Sequence, residues 1–282
     1  MKLKEIIGSL YRSFILSRHS PEALCHPARK KAPVVVSLTS IPSRLNILHL
    51  TIRSLLRQST PPEKIALWLH HDLKESLPES LTQLCGDIFE IHYVGLTCSH
   101  RKLVHSIQRF PDSVIVTCDD DQMYGFDWLE KLYASHLKSP NEIIANSCRR
   151  VSRFEDGEIL PYWDWKRDTR PGASAPCLMA VGYAGVLYPP NSLLPEATDD
   201  KLFLALTPKA DDLWFKAMSY LNGTAVRISY YVSRKPVSIL RSQASSLKWS
   251  NVNNDGNRAQ WLQLSAHYDL QALADTVERK NT

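Results

Sequence analysis

The sequence predicts an α/β fold built on a mostly parallel sheet, and two observations carry this prediction. From residue 33 onward, short apolar, β-branched runs alternate with segments of helical periodicity, the pattern of strands joined by helical crossovers. One run, 114–118, ends in three consecutive aspartates, Asp119, Asp120 and Asp121. Strands buried on both faces belong to parallel or mixed sheets, whose ligands gather beyond the carboxyl ends of the strands.

The predicted elements alternate along most of the chain. Strands are expected at 34–38, 65–69, 88–94, 113–118, 142–147 and 224–232. Helices are expected at 45–58, 79–85, 101–109, 126–137, 208–221 and 258–270. The pattern changes at about residue 151, where Arg-, Trp- and Gly-containing loops begin, and an apolar stretch follows at 177–188.

Three regions differ in composition. Residues 1–32 form a basic amphipathic arm and linker, with prolines at 21 and 27 and an Arg-Lys-Lys run. Residues 33–240 hold the strand and helix signals and are predicted to be the main folded domain. Residues 241–282 begin with a Ser- and Asn-rich stretch, predicted to be a mobile loop, and end with the last helix.

Positive charge is concentrated in the first 31 residues. Seven Lys and Arg side chains stand there against two glutamates, whereas the rest of the chain has 27 basic and 27 acidic residues. A nucleic-acid-binding domain usually spreads positive charge over its folded surface, so nucleic acid is not an expected partner. Residues 2–18 place apolar side chains at helical spacing among basic ones. This pattern suits an amphipathic helix on an anionic membrane surface or, equally, a helix packed on its own domain.

The cysteines favour a reducing compartment. Six are scattered along the chain without C-x-x-C or a Cys/His ligand spacing. The chain contains no run of about 18 apolar residues, the length needed to span a bilayer. We therefore expect a cytoplasmic protein, with the arm as a candidate peripheral contact to the inner face of the membrane.

Three adjacent carboxylates at a strand end repel one another unless something compensates their charge. A hard divalent cation does so, because it takes oxygen ligands and leaves positions open for phosphate oxygens. The sequence therefore favours a metal–phosphate site at residues 119–121. A solvated acidic turn is the alternative.

Polar side chains also follow the first two predicted strands. The first loop carries Thr39 and Arg44, which could contact a base, ribose or phosphate, or else Arg44 is an exposed side chain beside a helix cap. No G-x-G-x-x-G is present, which argues against a dinucleotide fold. His70, His71 and Asp72 close the second strand. Because adjacent strand residues point to opposite faces, the histidines are not expected to share a metal ion, whereas Asp72 could accept hydrogen bonds from a base or ribose.

Later segments add further candidates. Arg101 and Lys102 begin a predicted helix, where cations oppose the macrodipole, so either an anionic ligand lies nearby or the pair is solvated. Asp211 and Asp212 precede Leu-Trp-Phe in another first turn. They either complement the dipole or include a general base whose pKa is raised by its apolar neighbours. The stretch 182–185 marks a bend or a close backbone approach to a ligand.

Taken together, these segments resemble a GT-A glycosyltransferase, closest to the family 2-like bacterial enzymes. The resemblance spans roughly residues 33–235 and is carried by the first loop, Lys102, the aspartates 119–121, the stretch 182–185 and the pair 211–212, in that order. It implies a Rossmann-like, mixed, mostly parallel sheet flanked by helices, in a single domain with an N-terminal amphipathic arm.

The resemblance also implies a reaction. A hexosyltransferase of this kind moves a sugar from a nucleotide-diphosphate sugar to a hydroxyl of a saccharide or glycolipid acceptor. A UDP-sugar is the expected donor. The transfer would invert the anomeric centre and would serve surface polysaccharide or glycoconjugate synthesis. Mn²⁺ or Mg²⁺ would be the cofactor.

Roles of individual residues follow from the same resemblance. Substrate would be bound by Thr39, Arg44, Asp72, Lys102, Asp120, Gly185 and Asp211. Asp119 and Asp121 would bind the metal ion on the diphosphate, as in a DxD motif. The family often shows D-x-D-D, and Cys118 stands where its first Asp would be, so the three aspartates can be registered in two ways. The later acidic motif supplies the catalytic base, and its position favours Asp212.

Two other functions fit parts of the pattern. A metal-dependent nucleotidyltransferase uses a similar sheet and acidic cluster, but it needs a basic patch for a triphosphate, and the first loop is poor in glycine. A non-catalytic nucleotide-sugar-binding protein tethered by its arm would not require Asp212.

Overall fold

A computed structural model describes residues 3–24, 30–240, 242 and 255–278. Most of the predicted loop at 241–258, and residues 25–29 of the predicted linker, lie outside these ranges. The helices are α1 Leu3–Ser17, α2 Pro21–Leu24, α3 Leu45–Leu56, α4 Glu79–Thr82, α5 Arg101–Arg109, α6 Trp128–Lys138, α7 Asp200–Leu206, α8 Asp211–Leu221 and α9 Gly256–His267. The first seven strands are β1 Ala32–Thr39, β2 Pro62–His70, β3 Phe89–Val94, β4 Val114–Thr117, β5 Gln122–Met123, β6 Ile143–Ala145 and β7 Cys148–Arg150. The others are β8 Ser152–Phe154, β9 Arg167–Asp168, β10 Leu178–Ala180, β11 Val186–Tyr188, β12 Val226–Ile228, β13 Val237–Ser238 and β14 Asp275–Val277.

A seven-stranded sheet forms the centre of the molecule, in the order β12-β6-β11-β4-β1-β2-β3. Strand β11 is antiparallel to β4 and β6, and the other neighbouring pairs are parallel. The predicted mixed, mostly parallel sheet flanked by helices is therefore confirmed. Smaller ladders pair β7 with β10 and β9, β13 with β5, and β14 with β8.

Alternate side chains of β1 enter two separate cores, as the period of two in a strand requires. Val34, Val36 and Leu38 belong to the core that includes residues of α3 and α6. Val35 belongs to the other core, with residues of α5 and α8. A strand buried on both faces explains the continuous apolar run in the sequence.

Most predicted elements are present with boundaries shifted by a few residues. Helix α8 begins at Asp211, three residues later than predicted, because its N-cap is Ala210 rather than a residue near Pro208. The apolar stretch 177–188, which periodicity did not assign, contains β10, a 3-10 turn at Gly182–Ala184 and β11. This turn brings the antiparallel strand into the sheet directly beside β4.

Helix α1 packs against the domain, the second of the two arrangements that its sequence allows. Its Arg12 guanidinium donates a hydrogen bond to the Tyr124 carbonyl. Arg53 of α3 donates to the carbonyls of Leu16 and His19, at 3.4 and 2.6 Å. The face of α1 that packs on the domain includes the buried Ser9 and Leu16, and Leu16 joins a small core with Leu50 and Met123.

The carboxyl ends of β1 and β4 and the N-termini of α5 and α8 meet on one side of the sheet. The parallel register of β1 and β4, in which Ser37 pairs with Thr117, aligns the loop at Thr39–Arg44 with the aspartates at 119–121. Most of the residues for which a function is predicted lie at this edge.

Candidate active site

A cavity of about 420 Å³ opens at this edge of the sheet, within the range of small-molecule pockets. It is lined by eight of the ten candidate residues, which are Thr39, Arg44, Lys102, Asp119, Asp120, Asp121, Asp211 and Asp212. Further side chains on its wall are Ser40, Arg101, Tyr162, Met179, Tyr183, Lys209 and Asn257. Segments far apart in sequence therefore meet as the carboxyl-edge argument predicted.

The loop after β1 is fixed by hydrogen bonds before any ligand enters. Thr39 Oγ1 donates to the Trp68 carbonyl at 2.8 Å and accepts from Arg101 Nε. The same guanidinium donates to the carbonyls of Ser40 and, at 2.7 Å, Leu96. Arg101 is buried, so it is a structural cation that joins the loop to the start of α5.

Asp120 is the innermost of the three aspartates and is fully engaged by protein groups. Its Oδ1 accepts from Arg44 Nη1 and its Oδ2 from Ser40 Oγ, both at 2.5 Å. Burial raises the pKa of Asp120, and Arg44 and Ser40 oppose that rise. Because both oxygens have partners, this carboxylate anchors the cluster and is poorly placed to contact a ligand.

Asp121 shares the Arg44 guanidinium, whose Nη2 lies 3.3 Å from Asp121 Oδ2. Its Oδ1 accepts from Gln122 Nε2 at 2.9 Å. Burial and the neighbouring charge of Asp119 raise the pKa of Asp121 to about 6. Arg44 is thus not an exposed arginine beside a helix cap, since its side chain is only 14% exposed and compensates two of the three aspartates.

Lys102 connects the two groups of carboxylates. Its Nζ lies 3.0 Å from Asp119 Oδ1 and 3.1 Å from Asp211 Oδ2. Burial disfavours the ammonium, but Asp119, Asp211 and Asp212 outweigh burial and raise the pKa of Lys102 well above its ordinary value. Carboxylates of the protein therefore compensate the charge of Lys102 at the start of α5. The sequence had suggested an anionic ligand or solvent in that role.

Asp211 and Asp212 have opposite pKa shifts although they are adjacent. Burial alone would raise the pKa of Asp211, but the charge of Lys102 outweighs it, and the pKa lies below its ordinary value. Burial and the negative charge of Asp211 raise the pKa of Asp212. Asp212 accepts hydrogen bonds from the Gly182 backbone N–H, at 3.1 Å to Oδ1 and 3.3 Å to Oδ2. A carboxylate with a raised pKa is suited to take up a proton near neutral pH.

Asp119 and Asp121 are the carboxylates that fit a divalent cation. The Asp119 side chain is 34% exposed. Burial and, second, the charge of Asp119 raise the pKa of Asp121, and Arg44 offsets these two effects only in part. Mg²⁺ in phosphate-binding sites usually takes one or two carboxylates, with phosphate oxygens and water completing its shell. The acidic cluster thus has the donor set and the excess negative charge that such an ion requires.

Two candidate residues do not line this cavity. Asp72 lies at the end of β2, where its carboxylate contacts the rings of His70 and His71 at 3.2 and 3.4 Å. Gly185 has φ +101°, and a Cβ there would lie 2.5 Å from the Trp128 ring. Glycine at this position is required by backbone conformation and packing, and the close approach to the cavity is made by Gly182 instead.

Sequence reasoning missed the wall opposite the aspartates. Tyr162 begins a 3-10 helix and Asn257 lies in the first turn of α9. The Tyr162 N–H donates to Asp255 Oδ1 at 2.9 Å. Burial and the charge of Asp212 raise the pKa of Tyr162 to about 12, so the phenol stays protonated at neutral pH. The aromatic density of Tyr162-Trp163-Asp164-Trp165 is the signal that could have indicated this wall.

No family model matches the chain, and no curated protein sequence matches it. Among solved structures, it is similar to residues 1–349 of TarS from S. aureus, with 14% identity and a TM-score of 0.47 over 73% of this chain and 59% of that chain. It is also similar to 4-diphosphocytidyl-2C-methyl-D-erythritol synthase from Anaerococcus prevotii, with 14% identity and a TM-score of 0.46 over 83% of this chain and 96% of that chain. The fold is GT-A-like by the order and direction of its own strands, and the activities of these two proteins are not transferred to it.

Proposed function

We propose that this protein is a metal-dependent glycosyltransferase that moves a sugar from a nucleotide-diphosphate sugar to a hydroxyl of a saccharide or glycolipid acceptor. One observation carries the proposal: a cluster of paired aspartates and a separate carboxylate with a raised pKa line the same cavity. Sugar transfer needs both functions, a site for the leaving diphosphate and a base for the acceptor.

The aspartates form the donor side of the cavity. Asp119 and Asp121 would hold Mn²⁺ or Mg²⁺, and such an ion would stabilise the charge on the leaving diphosphate. Arg44 and Asp120 keep the cluster in place through the contacts described above. Thr39 lines the same side of the cavity and is the candidate contact for the nucleotide.

Asp212 forms the acceptor side. Its carboxylate is oriented by the Gly182 N–H, and it would take the proton of the acceptor hydroxyl as the hydroxyl oxygen attacks the anomeric carbon. Attack from the face opposite the leaving group inverts that centre. Asp211 stays ionised because of Lys102 and serves to keep Lys102 between the two sides.

A nucleotidyltransferase is less well supported. It requires a basic patch that cradles a triphosphate, whereas Arg44 and Lys102 face carboxylates and Arg101 donates to carbonyl and hydroxyl groups. These cations are therefore already engaged.

Calorimetric titration of UDP tests the donor side. We expect UDP affinity to fall about tenfold or more when Mn²⁺ is replaced by EDTA. Without the metal ion, the negative diphosphate would lie directly against the carboxylates of Asp119 and Asp121. Asp121→Asn should lose most of this metal dependence. Asp112→Asn, at an exposed turn before β4, is the matched control and should behave as wild type. Metal-independent binding of equal strength in all three proteins would exclude the assignment.

We also propose that α1 attaches the protein to an anionic membrane surface. Five large apolar side chains on one face of the helix are more than half exposed: Leu3, Ile7, Leu10, Tyr11 and Phe14. Exposed basic residues adjoin this face, among them Lys4 and Arg18. The opposite face packs on the domain, so the exposed apolar stripe suits the interface plane of a bilayer. Within the described residues, no helix is long and apolar enough to cross a membrane.

Co-sedimentation with anionic liposomes tests this attachment. The double variant Ile7→Ser, Phe14→Ser should lose most of its liposome binding without loss of fold, because both side chains are exposed. Leu137→Ser, at a comparably exposed apolar residue on α6, is the control. Point variants are preferable to deletion of α1. Deletion would also remove Arg12, which donates a hydrogen bond to the Tyr124 carbonyl. If the double variant sediments as wild type does, α1 is not the membrane contact.

A further inference from the structure

The end of β2 brings three potential metal ligands together outside the cavity. In the described part of the chain, His70, His71 and Asp72 form the only group of three or more His, Cys, Asp or Glu residues whose ligand atoms all lie within 4.8 Å of one another. None of the three lines the cavity with the aspartates. The cluster therefore needs its own explanation.

The local backbone overturns the expectation that the two histidines point to opposite faces. β2 ends at His70, and a 3-10 helix begins at His71 and continues to Ser76. Strand alternation stops at this boundary, so the imidazole rings come to the same side, with ring centroids 4.1 Å apart. The sequence argument was wrong because it assumed that the strand continued through His71.

Each imidazole is as close to the Asp72 carboxylate as two ligands of one zinc ion are to each other, and one ligand atom from each residue lies within 4.8 Å of the other two. His70 Nδ1 lies 3.2 Å from Asp72 Oδ2, and His71 Nε2 lies 3.4 Å from Asp72 Oδ1. Ligand atoms about 2.0–2.2 Å from a tetrahedral zinc ion are roughly 3.3 Å from each other. The cluster could accept such an ion with small side-chain movements.

His70 presents a ring nitrogen to the cluster. Its Nδ1 accepts a hydrogen bond from the Asp72 backbone N–H at 3.4 Å, and a bound ion would replace that N–H at the single lone pair of this nitrogen. His70 is the most buried of the three, with 22% of its side chain exposed, and its strand position opposite Val94 fixes it.

The donor set selects the class of metal. Two imidazoles and one carboxylate suit first-row transition ions such as Zn²⁺, Fe²⁺ or Ni²⁺, whereas the oxygen-only aspartates of the cavity suit Mg²⁺ or Mn²⁺. The side chains of His71 and Asp72 are 62% and 74% exposed, so an ion can reach the cluster from solvent. We propose that His70, His71 and Asp72 bind one zinc-class ion, which ties the 3-10 helix to the end of β2 and leaves a coordination position open to water.

Calorimetric titration with Zn²⁺, on tag-free full-length protein, tests the proposal. We expect one site of highest affinity per chain. His71→Gln and Asp72→Asn should each weaken it about tenfold or more, since losing even a partner of a ligand costs 10–100-fold. His267→Gln, at an exposed histidine of α9, and Asp121→Asn, in the cavity, should leave the affinity unchanged. Thermal unfolding without metal checks that every variant is folded.

Several outcomes would overturn the proposal. They are the absence of a high-affinity zinc site in wild type, a loss smaller than about tenfold in both ligand variants, and an equal loss in His267→Gln or Asp121→Asn. A final measurement separates this site from the cavity: Mn²⁺-dependent UDP binding should be the same in His71→Gln as in wild type. If UDP binding falls together with zinc binding, the two sites are one, and a separate zinc site is excluded.

Discussion

The two sides of the cavity treat their carboxylates differently. On the donor side, Asp120 and Asp121 face the Arg44 guanidinium at 2.5 and 3.3 Å. On the acceptor side, Asp211 faces Lys102 at 3.1 Å, whereas Asp212 has a backbone N–H as its hydrogen-bond partner. Burial and a neighbouring negative charge raise the pKa of Asp121 and of Asp212 alike, whereas the charge of Lys102 lowers that of Asp211. Under the proposed function, Asp121 would hold a metal ion, and Asp212, whose hydrogen-bond partner is a backbone N–H, would take the proton.

Lys102 makes the two sides interdependent. It contacts Asp119 on one side and Asp211 on the other, and its charge also acts on Asp212. A diphosphate or a metal ion that draws Asp119 away would leave Lys102 closer to the acceptor side. The three predictions below test whether the division between the sides is real.

The largest effect is expected from the base. Asp212→Asn keeps the size of the side chain and removes its basicity, so sugar transfer should fall about 10²–10⁴-fold. Asp211→Asn should cost less in rate, because its role is to compensate Lys102. The measurement is the rate of sugar transfer, or of slow donor hydrolysis, together with UDP affinity, which should change little in either variant.

The pH profile gives a second reading of the same prediction. Because the pKa of Asp212 is raised, transfer should be lost on acidification at a higher pH than for a base with an ordinary aspartate pKa. Normal turnover in Asp212→Asn with collapse in Asp211→Asn would move the base by one residue. Normal turnover in both variants would remove this pair of aspartates from the mechanism.

The second effect concerns stability. Lys102→Met removes the one cation that Asp119 and Asp211 share and leaves buried negative charge uncompensated. Breaking a buried pair in this way typically destabilises a protein by roughly 3–5 kcal/mol. The free energy of unfolding in urea is the measurement, and Lys201→Met, at an exposed lysine of α7, is the control. A change of less than about 1 kcal/mol, the range of exposed ion pairs, would mean that Lys102 is not the link between the two sides.

The sequence was sufficient to bring the aspartates and the first loop to one edge of the sheet, because strand ends are easy to recognise. A β-branched run that stops at Asp119 places its acids at the carboxyl edge, and parallel neighbours bring Thr39 and Arg44 to the same edge. The contacts that compensate the charges were not predictable. Whether Lys102 reaches Asp211 depends on how α5 and α8 are rotated against each other, and a single sequence contains no measure of that rotation.

Other features depended on boundaries of one or two residues. The convergence of His70 and His71 follows from a strand that ends at His70 instead of one residue later. Strand β11 has three residues and follows a 3-10 turn, too short for periodicity to reveal an antiparallel strand. Tyr162 reaches the cavity from a three-residue 3-10 helix, and Asn257 from the first turn of α9, one residue before the predicted start of that helix. Short elements are specified by tertiary contacts more than by local sequence.

The smallest effect should come from Gly182, which lies closest to the acceptor side. An added Cβ would lie 3.1 Å from Asp212 Oδ1 and 3.3 Å from Lys102 Nζ, but 3.8 Å from Asp119 Oδ1. In Gly182→Ala, the first two groups must therefore move by a few tenths of an ångström, whereas Asp119 need not move. Misplacement of catalytic groups by 1 Å can cost 10²-fold in rate, so a loss on the order of threefold to tenfold is expected in transfer, with UDP affinity nearly unchanged. Gly95→Ala, where an added Cβ meets open space, is the control. If Gly182→Ala weakens UDP binding more than it slows transfer, the carboxylates respond as one group, and the division into donor and acceptor sides is wrong.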